Sequence, residues 1–131
     1  MKSVIIDTNG FLRLFLDDIP KQADEIEKLL KKAEKGKVRI LVPQIILFEI
    51  NYILEKYYLL QKQEIIEKLE AVIATPHVTL ESREVFSEAI GIYGVNNISF
   101  VDSFLLARTK LENVKLFTFD KKLSSLASSK V

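Results

Sequence analysis

The chain contains no cysteine. That excludes disulfide scaffolds, thiolate zinc sites and cysteine nucleophiles, and it leaves the redox compartment open. Its one histidine, His77, opens a short apolar stretch and has no second imidazole to work with. A lone histidine reads as a surface or strand-end residue, because a general base needs a positioned partner. Long hydrophobic runs are missing as well. No stretch approaches the roughly 20 apolar residues of a membrane span. Val4-Ile5-Ile6 is too short for a signal peptide and Asp7 follows it at once, so the expectation is a cytoplasmic protein. An excess of one charge is also lacking: 19 basic residues stand against 18 acidic ones, for a net charge of +1. Proteins that grip duplex DNA through many phosphates carry a clear basic excess. Any nucleic-acid contact here must come from a local patch.

What is present is an ordinary globular mix, 48% hydrophobic and 28% charged over 131 residues, which suits a single domain spanning 1–131 with a core of its own. No linker, repeat or low-complexity tract interrupts it, only punctuation between periodic segments. Ser3 to Ile6 reads as a short buried strand that stops at Asp7, and Asn9 to Leu16 as a helix. Asp17-Asp18 is expected to cap the next helix, which has Pro20 in its first turn and Gly36 as its stop. Val38 to Val42 is a second strand, ended by Pro43, and Gln44 to Leu60 a long helix. Lys62 to Ile73 is helical, His77 to Leu80 a weak third strand, and Ser82 the cap of a helix that Gly94 ends. A helix from Ser99 to Leu111, a strand from Lys115 to Phe119 and a short helix from Lys121 to Ala127 complete the reading. Strands alternate with helices and are continuous apolar runs. The expected fold class is therefore α/β, a three-layer α/β/α sandwich around a mostly parallel sheet of four to five strands.

In such sheets ligands bind beyond the carboxyl ends of the strands. Asp7 directly follows the first strand of this reading, Asp120 the last, and Asp102 lies in the first turn of a helix. Topology therefore puts these three carboxylates along one rim. Glu49 is a separate clue: it falls within the stripe Ile46, Ile50, Ile53, Leu54 and Tyr57, and glutamate is rarely buried without a partner. Capping explains each aspartate singly. Asp7 and Asp120 can cap the helices that follow, and Ser99-Phe100-Val101-Asp102 matches a capping box. Caps do not explain an acid in mid-helix, nor the convergence of all four. Clustered carboxylates without imidazole or thiolate suit a hard cation, Mg²⁺ or Mn²⁺, one ion or two, which would relieve their repulsion. Such a site supports water activation and in-line displacement at phosphorus.

These residues resemble the PIN domain, and within it the VapC-type toxin ribonucleases of toxin–antitoxin pairs. The resemblance is carried by Ile5-Ile6-Asp7-Thr8-Asn9, by Leu47-Phe48-Glu49-Ile50, by Ser99 through Ala107 and by Leu116-Phe117-Thr118-Phe119-Asp120, in that order. It spans residue 3 to about residue 126. It implies a parallel sheet between helices, a metal-dependent endoribonuclease acting on RNA, a homodimer, and a cognate antitoxin that blocks the acidic cleft. Asp7, Glu49 and Asp102 would be metal ligands, and Asp120 a ligand or a helper through water. Thr8, Asn9, Thr118 and Ser99 would brace them. Two departures stand out. The chain ends soon after Asp120, so the family's last edge strand is expected to be short or missing. Gly10 replaces a branched apolar residue, which is expected to loosen the first helical turn.

Arg13, Lys56, Arg108 and Lys110 are candidates to steer RNA, against the plainer reading of solvated helix faces. Tyr57-Tyr58-Leu59-Leu60, with Ile92 and Tyr93, is a candidate dimer or antitoxin contact. Three other functions compete with this one. A PIN-like scaffold has no use for mutually repelling acids. A Mg²⁺-dependent phosphohydrolase or phospho-acceptor domain wants a second acid where Asn9 stands. A plain interaction protein predicts no effect of metal on melting.

Overall fold

A computed structural model describes residues 1–16 and 18–128. The elements in chain order are β1 (Lys2–Ile5), α1 (Thr8–Leu16), α2 (Pro20–Glu34), β2 (Val38–Val42), α3 (Gln44–Lys56), α4 (Lys62–Ala74), β3 (Val78–Leu80), α5 (Arg83–Val95), α6 (Phe100–Glu112) and α7 (Lys121–Ser128). They fall into two compact units, Met1–Glu81 and Ser82–Val131.

The first unit is α/β, with a parallel sheet in the order β1-β2-β3. Val4 lies opposite Ile40 and Leu41 opposite Thr79. Parallel neighbours cannot be joined by a tight turn, so helix pairs α1–α2 and α3–α4 make the two crossovers. The branched run of β2 supplies buried Ile40 and Val42, as its composition predicts. β1 differs from expectation: Ile5 is 59% exposed, and the strand pairs on one edge only among the described residues. A short apolar run does not by itself distinguish a buried strand from an edge strand.

Local rules decide most helix ends. Pro20 opens α2. Beyond its C-cap Lys35, Gly36 takes φ +74°, its amide donates to Ala33 O at 3.0 Å, and the Lys37 amide donates to Lys32 O at 3.0 Å. This is a Schellman stop, which favours glycine at that position. The aspartate cap expected before Pro20 is not seen. Asp17 lies outside the described residues, the N-cap is Ile19 without a side-chain bond, and the Asp18 carboxylate takes both oxygens to Arg13 Nη1 at 3.1 Å. Helix α3 ends at Lys56 rather than Leu60. The amides of Tyr58 and Leu60 fold back to Ile53 O and Leu54 O while Leu59 turns left-handed at φ 53°.

The second unit is helical. Its core joins α5 to α6 through aromatic rings. Phe86 lies 5.9 Å from Phe100 and 4.9 Å from Phe104, and Tyr93 meets Phe100 edge-on at 5.4 Å. A second apolar cluster sets Leu106 on α6 with Leu123 and Ala127 on α7, covered by Ile92, Ile98, Leu116 and Leu126. Ser82 sits at the N-cap of α5, but in a left-handed conformation and without a side-chain cap bond. The strand expected at Lys115–Phe119 does not form, leaving three strands among the described residues where four to five were expected. Leu116 packs inward, whereas Phe117 and Phe119 are exposed and meet edge-on at 5.3 Å. β propensity is local, and a ladder requires a partner edge that composition does not name. Among the described residues no helix is long and apolar enough to cross a membrane.

Candidate functional site

The first unit carries two of the four acids. Asp7 occupies the turn between β1 and α1, exposed to solvent. Its Oδ1 accepts the Gly10 amide at 2.9 Å, so it caps α1 as an aspartate in this place should. The cap uses one oxygen and leaves Oδ2 without a partner among the described residues. Thr8 follows. It is buried, 3% exposed, and its Oγ1 has no hydrogen-bond partner among the described residues. Buried hydroxyls are normally satisfied, which sets this one apart. Asn9 is exposed one residue further on. In the first turn the capping bond ties Gly10 to Asp7, while the first main-chain bond, Phe11 N to Asp7 O, is 3.4 Å.

Glu49 departs from its expected setting. It is exposed on α3, while the buried stripe runs through Ile46, Leu47, Ile50, Asn51 and Leu54. Leu47 is fully buried. Counting it moves the centre of the stripe round the helix, away from Glu49 and toward Asn51. Asn51 is the polar residue α3 turns inward, one helical turn beyond Leu47. The spacing could have found it.

The second unit carries the other two. Ser99 caps α6, its Oγ accepting the Asp102 amide at 3.0 Å, and the Ser103 hydroxyl donates to Ser99 O at 2.9 Å. The reciprocal half of a capping box, the acid reaching back to the serine amide, is not made. The half-buried Asp102 carboxylate has no hydrogen bond or ion pair with a described residue. Asp120 repeats the geometry of Asp7. Its Oδ1 accepts the Leu123 amide at 2.9 Å and caps α7, and its own amide donates to Thr118 Oγ1 at 3.1 Å. Ser99 and Thr118 therefore brace the backbone of their acids rather than the carboxylates.

Among the described residues no three histidine, cysteine, aspartate or glutamate side chains form a group that could hold a metal ion. Asp7 and Glu49 belong to the first unit, Asp102 and Asp120 to the second. The donor chemistry itself fits a hard cation: carboxylate oxygens not committed to the backbone, an unsatisfied hydroxyl beside Asp7, and no nitrogen or sulfur ligand.

The basic candidates are engaged. Arg13 pairs with Asp18 at 3.1 Å, Lys56 with Glu55 at 3.4 Å, Arg108 with Glu112 and Lys110 with Glu88. This is the pattern of solvated helix faces. In the first unit a groove of about 500 Å³ is lined by Asn9, Leu12, Arg13, Ile53, Tyr57 and Tyr58, and Tyr57 is 76% exposed. Tyr93, considered as a surface contact, is instead buried in the aromatic cluster, and Ile92 is half-buried.

Comparison with known proteins shows the family of the chain. A VapC ribonuclease of Aquifex aeolicus (strain VF5) is 23% identical over 123 residues, which cover 93% of this chain and 90% of the relative. The PIN domain family profile matches residues 4–128, a span that includes Asp7, Glu49, Asp102 and Asp120. With nearly its whole length matched, the chain belongs to the PIN domain family.

Proposed function

We propose that the protein is a metal-dependent endoribonuclease in which Asp7, Glu49, Asp102 and Asp120 act together on an RNA phosphodiester with Mg²⁺ or Mn²⁺. One observation carries the reading: the Asp102 carboxylate is half-buried and has no hydrogen bond or ion pair among the described residues. A helix start has a use for Asp102, but here Ser99 performs the capping through its own hydroxyl. A partly desolvated carboxylate without a counter-charge is costly, and a cation answers that cost. Asp7 and Asp120 add to the case. Each fixes one oxygen on a backbone amide and so presents the other in a defined direction, which is how outer bonds prepare a ligand. A bound divalent cation would supply an activated water and charge stabilisation at phosphorus. The chain's part is to hold the carboxylates in place, with Thr8, Asn9, Ser99 and Thr118 supporting them.

The place of Glu49 rests on family resemblance, since its exposure removes the argument from burial. That exposure is the observation favouring the second reading, a PIN-like RNA-processing scaffold without chemistry. Cleavage of a mixed-sequence RNA separates the two. The enzyme cuts with Mg²⁺ or Mn²⁺, stops with EDTA and loses activity in Asp102→Asn, whereas the scaffold cuts under none of these conditions.

Partners follow from the same reading. The Aquifex relative is named a VapC ribonuclease, which supports RNA as the substrate; the family resemblance of the chain implies a cytoplasmic toxin held inactive by a cognate antitoxin. The groove lined by Asn9, Tyr57 and Tyr58 is the surface we assign to the antitoxin or to a second copy of the chain. Light scattering at high concentration that gives a monomer removes the dimer.

A further inference from the structure

Gly10 is the position where the local sequence and the geometry of Asp7 meet most tightly. Its amide donates to Asp7 Oδ1 at 2.9 Å. The first main-chain bond of the helix, Phe11 N to Asp7 O, is long at 3.4 Å, so the side-chain bond is the stronger tie in this turn. A Cβ at residue 10 would stand 2.7 Å from Ile6 Cγ2, 3.3 Å from Ile26 Cδ1 and 3.5 Å from Asp7 Oδ1. The Ile26 atom is the end of a flexible chain and can move. Ile6 Cγ2 sits on the branch at Cβ of a side chain only 3% exposed, where χ1 is stiff and the surroundings are packed. The helix start would have to give instead, and it would carry the amide donor away from the carboxylate.

Capping alone does not ask for glycine. Asp120 makes the same bond to the amide three residues on, and the residue there is Leu123. The requirement at residue 10 comes from Ile6 and Ile26.

We propose that Gly10 is a positioning residue for Asp7: lacking a Cβ, it lets the first turn of α1 close on the carboxylate and fix Oδ1, so that Oδ2 is presented to the divalent cation. This rests on the reading of Asp7 as a metal ligand. Its effect is on the affinity of the ion and on the order of the carboxylate, and it acts through Asp7 rather than on substrate.

The experiment is a Mg²⁺ titration followed by ¹⁵N–¹H spectra, on the wild type and on Gly10→Ala, Ile6→Leu, Gly10→Ala/Ile6→Leu and Gly91→Ala. Gly91 is the control, a helical glycine around which a Cβ would find nothing within 4 Å. Gly91→Ala should keep wild-type affinity and melt higher, as glycine-to-alanine changes in helices do. Gly10→Ala should weaken Mg²⁺ binding by about tenfold or more, the size of effect seen when an outer partner of a ligand is lost. Ile6→Leu conserves volume and removes the β-branch, so in the double variant it should recover most of that loss. Wild-type affinity in Gly10→Ala overturns the proposal, and so does a loss that Ile6→Leu fails to relieve. A wild type whose spectrum ignores Mg²⁺ removes Asp7 as a ligand and the proposal with it. Should Gly10→Ala not fold, Asp7→Ala decides: the Gly10 amide should lose its protection from hydrogen exchange, and unchanged protection contradicts the bond.

Discussion

In the first unit an apolar run that ends in aspartate is a strand; in the second, an equally apolar run that ends in aspartate is not. Ser3–Ile5 lies in register against Arg39–Leu41, whereas Lys115–Phe119 pairs with nothing among the described residues. Yet Asp7 and Asp120 make the same bond to the amide three residues on, at 2.9 Å in both places. The contrast separates two kinds of physics. A cap is settled within a single turn by a short acceptor beside orphan amides. A ladder is settled by an edge elsewhere in the chain, and its existence says nothing about the cap beside it.

The largest expected effects lie in the two cores. Leu47→Ala in the first unit and Phe86→Ala in the second remove fully buried side chains and should each cost about 3–5 kcal/mol of unfolding free energy in denaturant titration. A loss under about 1 kcal/mol in either would mean that its unit is packed differently.

Next comes Asp102→Asn. It should lower RNA cleavage by at least about a hundredfold, roughly 2.7 kcal/mol of barrier, and leave the melting temperature unchanged or higher, since the carboxylate has no partner among the described residues to lose. Circular dichroism of an unfolded Asp102→Asn protein would return that residue to a structural role.

The caps should differ little from one another. Asp7→Ala and Asp120→Ala each remove one side-chain-to-amide bond, worth about 1 kcal/mol by thermal melting. A much larger cost at Asp7 would show that the turn after a paired strand carries more than its cap. The smallest effect is expected at Lys110→Met. Its pair with Glu88 joins two partly exposed side chains, and such pairs are worth less than about 1 kcal/mol.

Local signals made much of the fold legible. Val38–Val42 is bounded as its composition and Pro43 predict, Gly36 stops α2 as a left-handed residue, and Ser99 caps α6 through its hydroxyl. The errors share a cause. The stripe Ile46, Ile50, Ile53, Leu54 and Tyr57 omits the buried Leu47 and so sets Glu49, an exposed acid, on an apolar face. Apolar periodicity continues through Tyr57–Leu60, although the chain there turns back on Ile53. Composition alone suggests a strand at Lys115–Phe119 and does not supply its partner edge. In the candidate site, Asp7 and Asp120 were legible as caps and Ser99 as a brace. The close contact of residue 10 with Ile6 and the unsatisfied Thr8 hydroxyl depend on coordinates and leave no pattern in the sequence.

The most direct test of the central claim is cleavage of a mixed-sequence fluorescent RNA by the purified protein, with Mg²⁺ or Mn²⁺ and with EDTA, alongside Asp7→Asn. The account predicts cutting that needs the metal and disappears in the variant. Cutting that survives EDTA, or that Asp7→Asn retains in full, would contradict it.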